Sequence, residues 1–127
     1  MCVIFRDIKN RATAHYQCIP KRHIKNYMWL RLSEEVGGGK PSPDLQLLRH
    51  MEQAGSAFLR ERHPEKSENE FRMGFHGPRH NSQHHMHLHL IVTPFLGSAM
   101  SQIKWGTVVY GELLIPITHI LNNYKSL

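Results

Sequence analysis

The clearest alternation in the chain runs through His84-His85-Met86-His87-Leu88-His89-Leu90-Ile91-Val92. Successive side chains of a strand point to opposite faces. The spacing therefore predicts a strand with Met86, Leu88 and Leu90 toward a core and His85, His87 and His89 on the other face. Phe71 to His76 alternates in the same way, and the polar, turn-forming loop Gly77 to Gln83 joins the two, so their pairing is antiparallel. Val3-Ile4-Phe5 reads as the end of a strand. Ala14 to Ile19 reads as another, ended by Pro20, which cannot donate to a ladder. The polar run Lys9-Asn10-Arg11 between them makes a hairpin or meander.

Elsewhere the period changes. Leu45, Leu48, Met51, Ala54 and Phe58 recur at three and four residues, with Leu47 and Leu59 widening the stripe. This predicts one long helix from Pro43 to His63. Ser42 is a natural N-cap, Pro43 suits the first helical position and Asp44 the first turn. Arg60 and Arg62 favour the C-terminal end of the helix dipole, and Pro64 stops the helix. A weaker stripe at Ile24, Tyr27, Met28 and Leu32 suggests a short helix. Ser33 to Ser42, with Gly37-Gly38-Gly39, reads as a flexible connector rather than a phosphate cradle, because it lacks both G-x-G-x-x-G and P-loop context. Glu65 to Glu70 is a charged turn, Gly97 to Gly111 is loop with some extended structure, and a terminal helix spans Pro116 through Tyr124.

Composition narrows the class. At 127 residues, 40% hydrophobic and 20% charged, the chain fits one globular domain, residues 1–127, with no internal repeat. No apolar run approaches the roughly 18 residues of a membrane span, and the N-terminal apolar run is too short for a signal peptide. Cys2 and Cys18 form no C-x-x-C, so a disulfide framework or cysteine zinc site is not expected, and a reducing intracellular compartment is the default. The formal net charge of +6 favours anionic partners. The cations are dispersed, with no block of five or six, so a nucleic-acid tail is not indicated.

Three imidazoles on one half-buried face can serve as metal ligands, proton shuttles or nucleophiles. His-x-His-x-His on a strand is workable zinc geometry, although no carboxylate or fourth ligand stands nearby in sequence.

Three separated segments, taken in order, narrow this further: Phe5-Arg6-Asp7-Ile8, Ile19-Pro20-Lys21-Arg22-His23-Ile24, and His85-Met86-His87-Leu88-His89-Leu90-Ile91. Together they resemble the histidine triad family, whose signature is His-apolar-His-apolar-His-apolar-apolar. Arg72-Met73-Gly74-Phe75-His76 is similar to the third branch of the Hint proteins, beside aprataxin. The resemblance covers nearly the whole chain. It implies an α+β fold with a five-stranded antiparallel sheet, one long helix and short flanking helices. It also implies a homodimer and nucleotide chemistry at the α-phosphate.

Carried onto this chain, the resemblance makes His87 the nucleophile toward a nucleoside phosphoramidate, with His85 positioning it and His89 holding phosphate oxygen. His23 matches the family's fourth histidine, beside the phosphate and leaving group. Ser82 matches a hydroxyl on phosphate, and Asp7 the carboxylate on the ribose hydroxyls. Phe5 and Ile8 would wall the base. His76, Arg79 and His80 could add phosphate contacts, while His15, His50, His63 and His119 read as surface or structural histidines.

The expected activity is that of an adenosine 5'-monophosphoramidase acting on AMP derivatives without cofactor or metal, in the cytoplasm or nucleus, with no membrane partner. The alternatives are a catalytically weak nucleotide-binding or interaction module and a zinc-dependent hydrolase. The family usually carries a segment before the Phe-x-Asp-Ile strand, and this chain begins almost on that strand. It also carries no aprataxin-like zinc finger, which makes DNA-adenylate repair the weaker reading.

Overall fold

A computed structural model describes residues 1–7, 12–76, 85–95 and 114–126. Strand β1 (Cys2–Arg6) pairs antiparallel with β2 (Ala12–Pro20), with Cys2 opposite Pro20 and Arg6 opposite Tyr16. On its other edge β2 pairs with β4 (Leu88–Phe95), β4 with β3 (Phe71–His76), and β3 with β5 (Leu114–Pro116). The result is a five-stranded antiparallel sheet of order β1-β2-β4-β3-β5, with helix α1 (Pro43–Arg62) and the short helix α2 (Ile117–Asn123). This is the expected α+β architecture.

One sheet face forms the core. Ala14, Tyr16 and Cys18 of β2, Leu88, Leu90 and Val92 of β4, and Phe75 of β3 pack with Leu47, Leu48, Met51 and Leu59 of α1 and with Ile117 and Ile120 of α2. The alternating positions, His15 and Gln17, His89 and Ile91, Gly74 and His76, therefore lie on the opposite face. Gly55 lets α1 lie directly on the sheet: a Cβ there would stand 2.9 Å from Leu90 Cδ2.

Helix α1 starts where its capping chemistry dictates. The Ser42 hydroxyl accepts from Leu45 N at 3.2 Å and from Ser33 N at 3.1 Å, and donates to Arg31 O at 2.7 Å. Its single donor and two lone pairs are thus all used. Asp44 in the first turn accepts from Arg31 N at 2.7 Å and pairs with Arg22. At the far end, the ring of His63 meets the Tyr16 hydroxyl at 2.9 Å.

Three expectations change. The last ladder partners of β4 are Cys18 opposite Leu88 on β2 and Gly74 opposite His89 on β3, so the strand begins at Leu88 and not at His84. His85, Met86 and His87 form its lead-in, pinned by Met86 N donating to Ile24 O at 2.6 Å. The stripe at residues 24–32 yields one 3₁₀ turn, Tyr27–Trp29, in which Met28 and Trp29 are exposed. Extended backbone at Asn26 and Leu30 bounds that turn, and the Asn26 side chain caps it by accepting from Met28 N. The glycine connector is a closed turn: Val36 pairs with Lys40, and Gly38 and Gly39 take φ of 85° and 72°, values that favour glycine.

Candidate active site

The sheet face opposite α1 gathers imidazoles from three strands. Antiparallel register sets Gln17 of β2 and Gly74 of β3 opposite His89 of β4, and His15 of β2 opposite Ile91. Across the strands, His15 Nε2 and His89 Nδ1 are 3.0 Å apart and share a hydrogen bond. The His76 ring lies 4.6 Å from His89 on one side, and the His87 ring lies 4.6 Å from it, edge-on, on another. All four of these histidines are buried. Gly74 makes room for the pairing of β3 with β5, because a Cβ there would come within 2.6 Å of Ile115 O.

His87 is held in a defined tautomer. Its Nδ1 is 2.9 Å from the backbone carbonyl of His85, which can only accept, so Nδ1 carries the proton and Nε2 keeps its lone pair. Burial pushes the His87 pKa below the ordinary imidazole value, and the positive charge His85 can carry adds to this. The bond to the His85 carbonyl and the Asp7 carboxylate oppose the shift, but burial is the largest cause. The neutral form of the ring is thus favoured more than in a free imidazole. His85 is itself fixed by donating from Nε2 to Pro20 O at 3.1 Å.

Asp7 follows β1 directly, and its N–H donates to His15 O at 2.9 Å. Its carboxylate accepts from Gln17 Nε2 at 2.7 Å and stands 3.5 Å from His15 Nε2. Phe5, on the same sheet face and opposite Gln17, is 43% exposed, which leaves its ring open to a ligand. His23 is exposed, and its ring packs edge-on against His85 at 5.0 Å. That contact sets it beside the residue whose backbone carbonyl holds His87. Ile8, Arg79, His80 and Ser82 lie outside the described residues.

His15 is the residue that sequence reasoning set aside. It is 2% exposed and bonded to His89, so it is not a surface histidine but a buried, hydrogen-bonded one that stands beside a triad residue. The signal was available in β2, whose core-facing Ala14, Tyr16 and Cys18 place His15 and Gln17 together on the other face. His63 does fill a structural place, against Tyr16, and His50 and His119 are exposed. Among the described residues, Asp7, His15 and His89 are the side chains close enough to share an ion, and the His85–His87–His89 set is not such a group. The zinc arrangement considered for the strand histidines is therefore not formed.

Arranged this way, the site offers a neutral, oriented imidazole as nucleophile. Further imidazoles stand beside it, with chemistry suited to anionic oxygen, and the carboxylate anchored by Gln17 has the chemistry to accept from hydroxyl groups. Residues 1–104 match the family described as "Scavenger mRNA decapping enzyme C-term binding". The chain is 33% identical over 111 residues to the bifunctional adenosine 5'-phosphosulfate phosphorylase/adenylylsulfatase HINT4 of Arabidopsis thaliana, covering 87% of this chain and 64% of that protein. It is 35% identical over 89 residues to the adenosine 5'-monophosphoramidase HINT3 of Mus musculus, covering 70% and 47%. The chain thus spans about half to two thirds of the length of these relatives. Among solved structures, a HIT family hydrolase from Clostridium thermocellum shares the fold at a TM-score of 0.55 and 21% identity, over 78% of this chain and 77% of that one.

Proposed function

Because this chain belongs to the histidine triad family, in its Hint-like branch, we propose that it hydrolyses nucleotides at the α-phosphate, as an adenosine 5'-monophosphoramidase. The observation that carries this reading is His87. It is buried beside His89, held by Nδ1 on the His85 carbonyl, and depressed in pKa, so that Nε2 is a free electron pair at neutral pH.

In the first step Nε2 of His87 attacks the α-phosphorus and the P–N bond breaks. The amine leaves with one added proton, and a nucleotidyl-His87 remains. Water then attacks the same phosphorus, restores neutral His87 and releases the nucleoside monophosphate with return of the proton. His89 meets the phosphate oxygens, His85 holds His87 in line, and His23 stands on the leaving-group side. Asp7 accepts the ribose hydroxyls, a task suited to a carboxylate that can take two hydrogen bonds. Phe5 and Ile8 border the base, and the Ser82 hydroxyl meets the phosphate. The enzyme acts as a homodimer on AMP derivatives, in the cytoplasm or nucleus.

A second leaving group has support of its own. The HINT4 match covers more of this chain than the HINT3 match, and that relative acts on adenosine 5'-phosphosulfate. The same attack at the α-phosphorus would expel sulfate. The test is AMP release from AMP-lysine or AMP-morpholidate and from adenosine 5'-phosphosulfate, each with wild-type protein and with His87→Ala. We expect turnover of the phosphoramidate that His87→Ala abolishes. Undiminished turnover by His87→Ala would exclude His87 as nucleophile, and binding of AMP with no turnover of either substrate would make the chain a nucleotide-binding module.

A further inference from the structure

A cavity of about 400 Å³ opens where α1, α2, β3 and β5 meet, and none of the residues assigned to nucleotide or catalysis lines it. Strand β5 ends at Pro116 and pairs with Gly74, Phe75 and His76. Among the described residues, the outer edge of β3 therefore has no strand partner over Phe71–Met73. There the chain turns into α2, and the space left between α2, α1 and that edge is the cavity. Its wall is mostly apolar, formed by Leu59, Phe71, Met73, Leu114, Pro116 and Ile117, with the hydroxyls of Ser56 and Thr118 set into it. Small-molecule sites have this character, at volumes of about 300–1,000 Å³, with a few polar groups that fix the ligand's orientation.

The polar group that selects the ligand is Arg72, half-buried on the wall. Its Nη1 donates to Asn69 O at 2.6 Å and to Phe71 O at 3.2 Å. Neutral carbonyls thus hold the guanidinium in place and leave its charge uncompensated. Among the described residues, Nε and Nη2 have no hydrogen-bond partner. Those two nitrogens form the side of a guanidinium that takes a carboxylate through two parallel hydrogen bonds. Glu68, the carboxylate on the wall, is 75% exposed and already paired with Arg60 at 3.3 Å.

We propose that this cavity binds a small amphipathic carboxylate, an aryl or branched alkyl acid. The carboxylate sits on the free side of Arg72, and the apolar part lies between α1 and α2. Such a ligand touches both helices and both strands, so its binding ties β5 and α2 to β3. The histidine face takes no part, so the site stands whether or not the chain turns over nucleotides.

The experiment is calorimetry of the full chain with 4-phenylbutyrate, 2-naphthoate and 4-methylpentanoate at millimolar concentration, each beside its neutral primary amide. One-to-one binding of at least one acid is expected, with its amide weaker by about tenfold or more, because the amide loses the charge-assisted pair. Arg72→Gln should weaken the acid by a similar factor and leave the amide unchanged. Ser56→Trp, which fills the cavity and keeps Arg72, should abolish binding of both; Thr118→Phe does the same from the other wall. Circular dichroism shows which variants fold. His87→Ala should bind the acid as the wild type does.

Failure of all three acids to bind overturns the proposal, as does equal binding of acid and amide, or binding that survives in Arg72→Gln or in the filled variants. Loss in His87→Ala with retention in Arg72→Gln would place the anion on the imidazoles instead. If no acid binds and Ser56→Trp converts a dimer to a monomer in sedimentation equilibrium, the cavity is a contact with a second copy and not a ligand site.

Discussion

Replacing Gln17 with leucine tests how the proposed ribose site is built. Gln17 is 7% exposed, and its amide donates to Asp7 Oδ2 at 2.7 Å. Leucine keeps most of the volume and removes the donor. A hydrogen bond to a charged group contributes about 1.5–3 kcal/mol, so its loss removes one of the contacts that orient the carboxylate toward the ribose, at a cost of up to roughly 10- to 150-fold in binding. Asp7 is assigned to the bound nucleoside and not to the reacting bond. The loss should therefore fall on KM for an adenosine phosphoramidate, with kcat within about threefold of wild type. Steady-state AMP release at graded substrate concentration measures both. The same titration with a 2',3'-dideoxy substrate is the internal control: the wild type should bind it weakly, and Gln17→Leu should add little, because the two changes remove one shared interaction. A loss confined to kcat would refute the reasoning, as would an unchanged KM or full additivity with the dideoxy substrate.

Other consequences can be measured directly. Because burial lowers the His87 pKa, the acid limb that His87 contributes to kcat/KM should lie below the ordinary imidazole value of about 6.5; a limb above it would contradict the buried, neutral nucleophile. The same shift makes a stability prediction. The unfolded chain takes up the proton first, so the His87 contribution is whole above about pH 6.5 and is lost as pH falls toward the folded value; urea unfolding of wild type against His87→Gln at several pH values isolates it. Ser42→Ala removes the α1 cap and leaves Ser33 N and Arg31 O without their partner, so unfolding should cost about 1–3 kcal/mol less in urea titration, and a change under about 0.5 kcal/mol would count against the cap. Gly74→Ala drives a Cβ into Ile115 O, so it should lower both thermal stability and activity through separation of β5 from β3; a variant matching wild type in both would mean that this edge is dispensable.

The elements that periodicity could find were those whose side chains sort cleanly by polarity. Helix α1 was legible from its stripe and from Ser42-Pro43-Asp44, and β2 and β3 from alternation with Pro20 and the glycine loop as bounds. The Tyr27–Trp29 turn was over-read as a helix because its apolar spacing is real, while the backbone is extended on both sides and Met28 and Trp29 face solvent. The start of β4 was misplaced because side-chain alternation continues past the last ladder pair: Met86 still packs into the core although, among the described residues, no strand partner is paired with it. His15 was missed for a different reason. Its place in the site depends on register across β2 and β4, and the motif containing His89 lies 74 residues further along the chain. His23 sits in a motif beyond the end of β2 and, among the described residues, its ring contact is with His85.

The most direct test is to trap the intermediate. Wild-type protein is mixed with an adenosine phosphoramidate, quenched within milliseconds into alkali, where a phosphorus–imidazole bond survives, and digested for mass spectrometry. A single adenylyl group on His87, formed and consumed at rates that match turnover, is the expected result. Turnover with no adduct, or an adduct on another residue that persists in His87→Ala, would contradict the assignment of His87 as nucleophile.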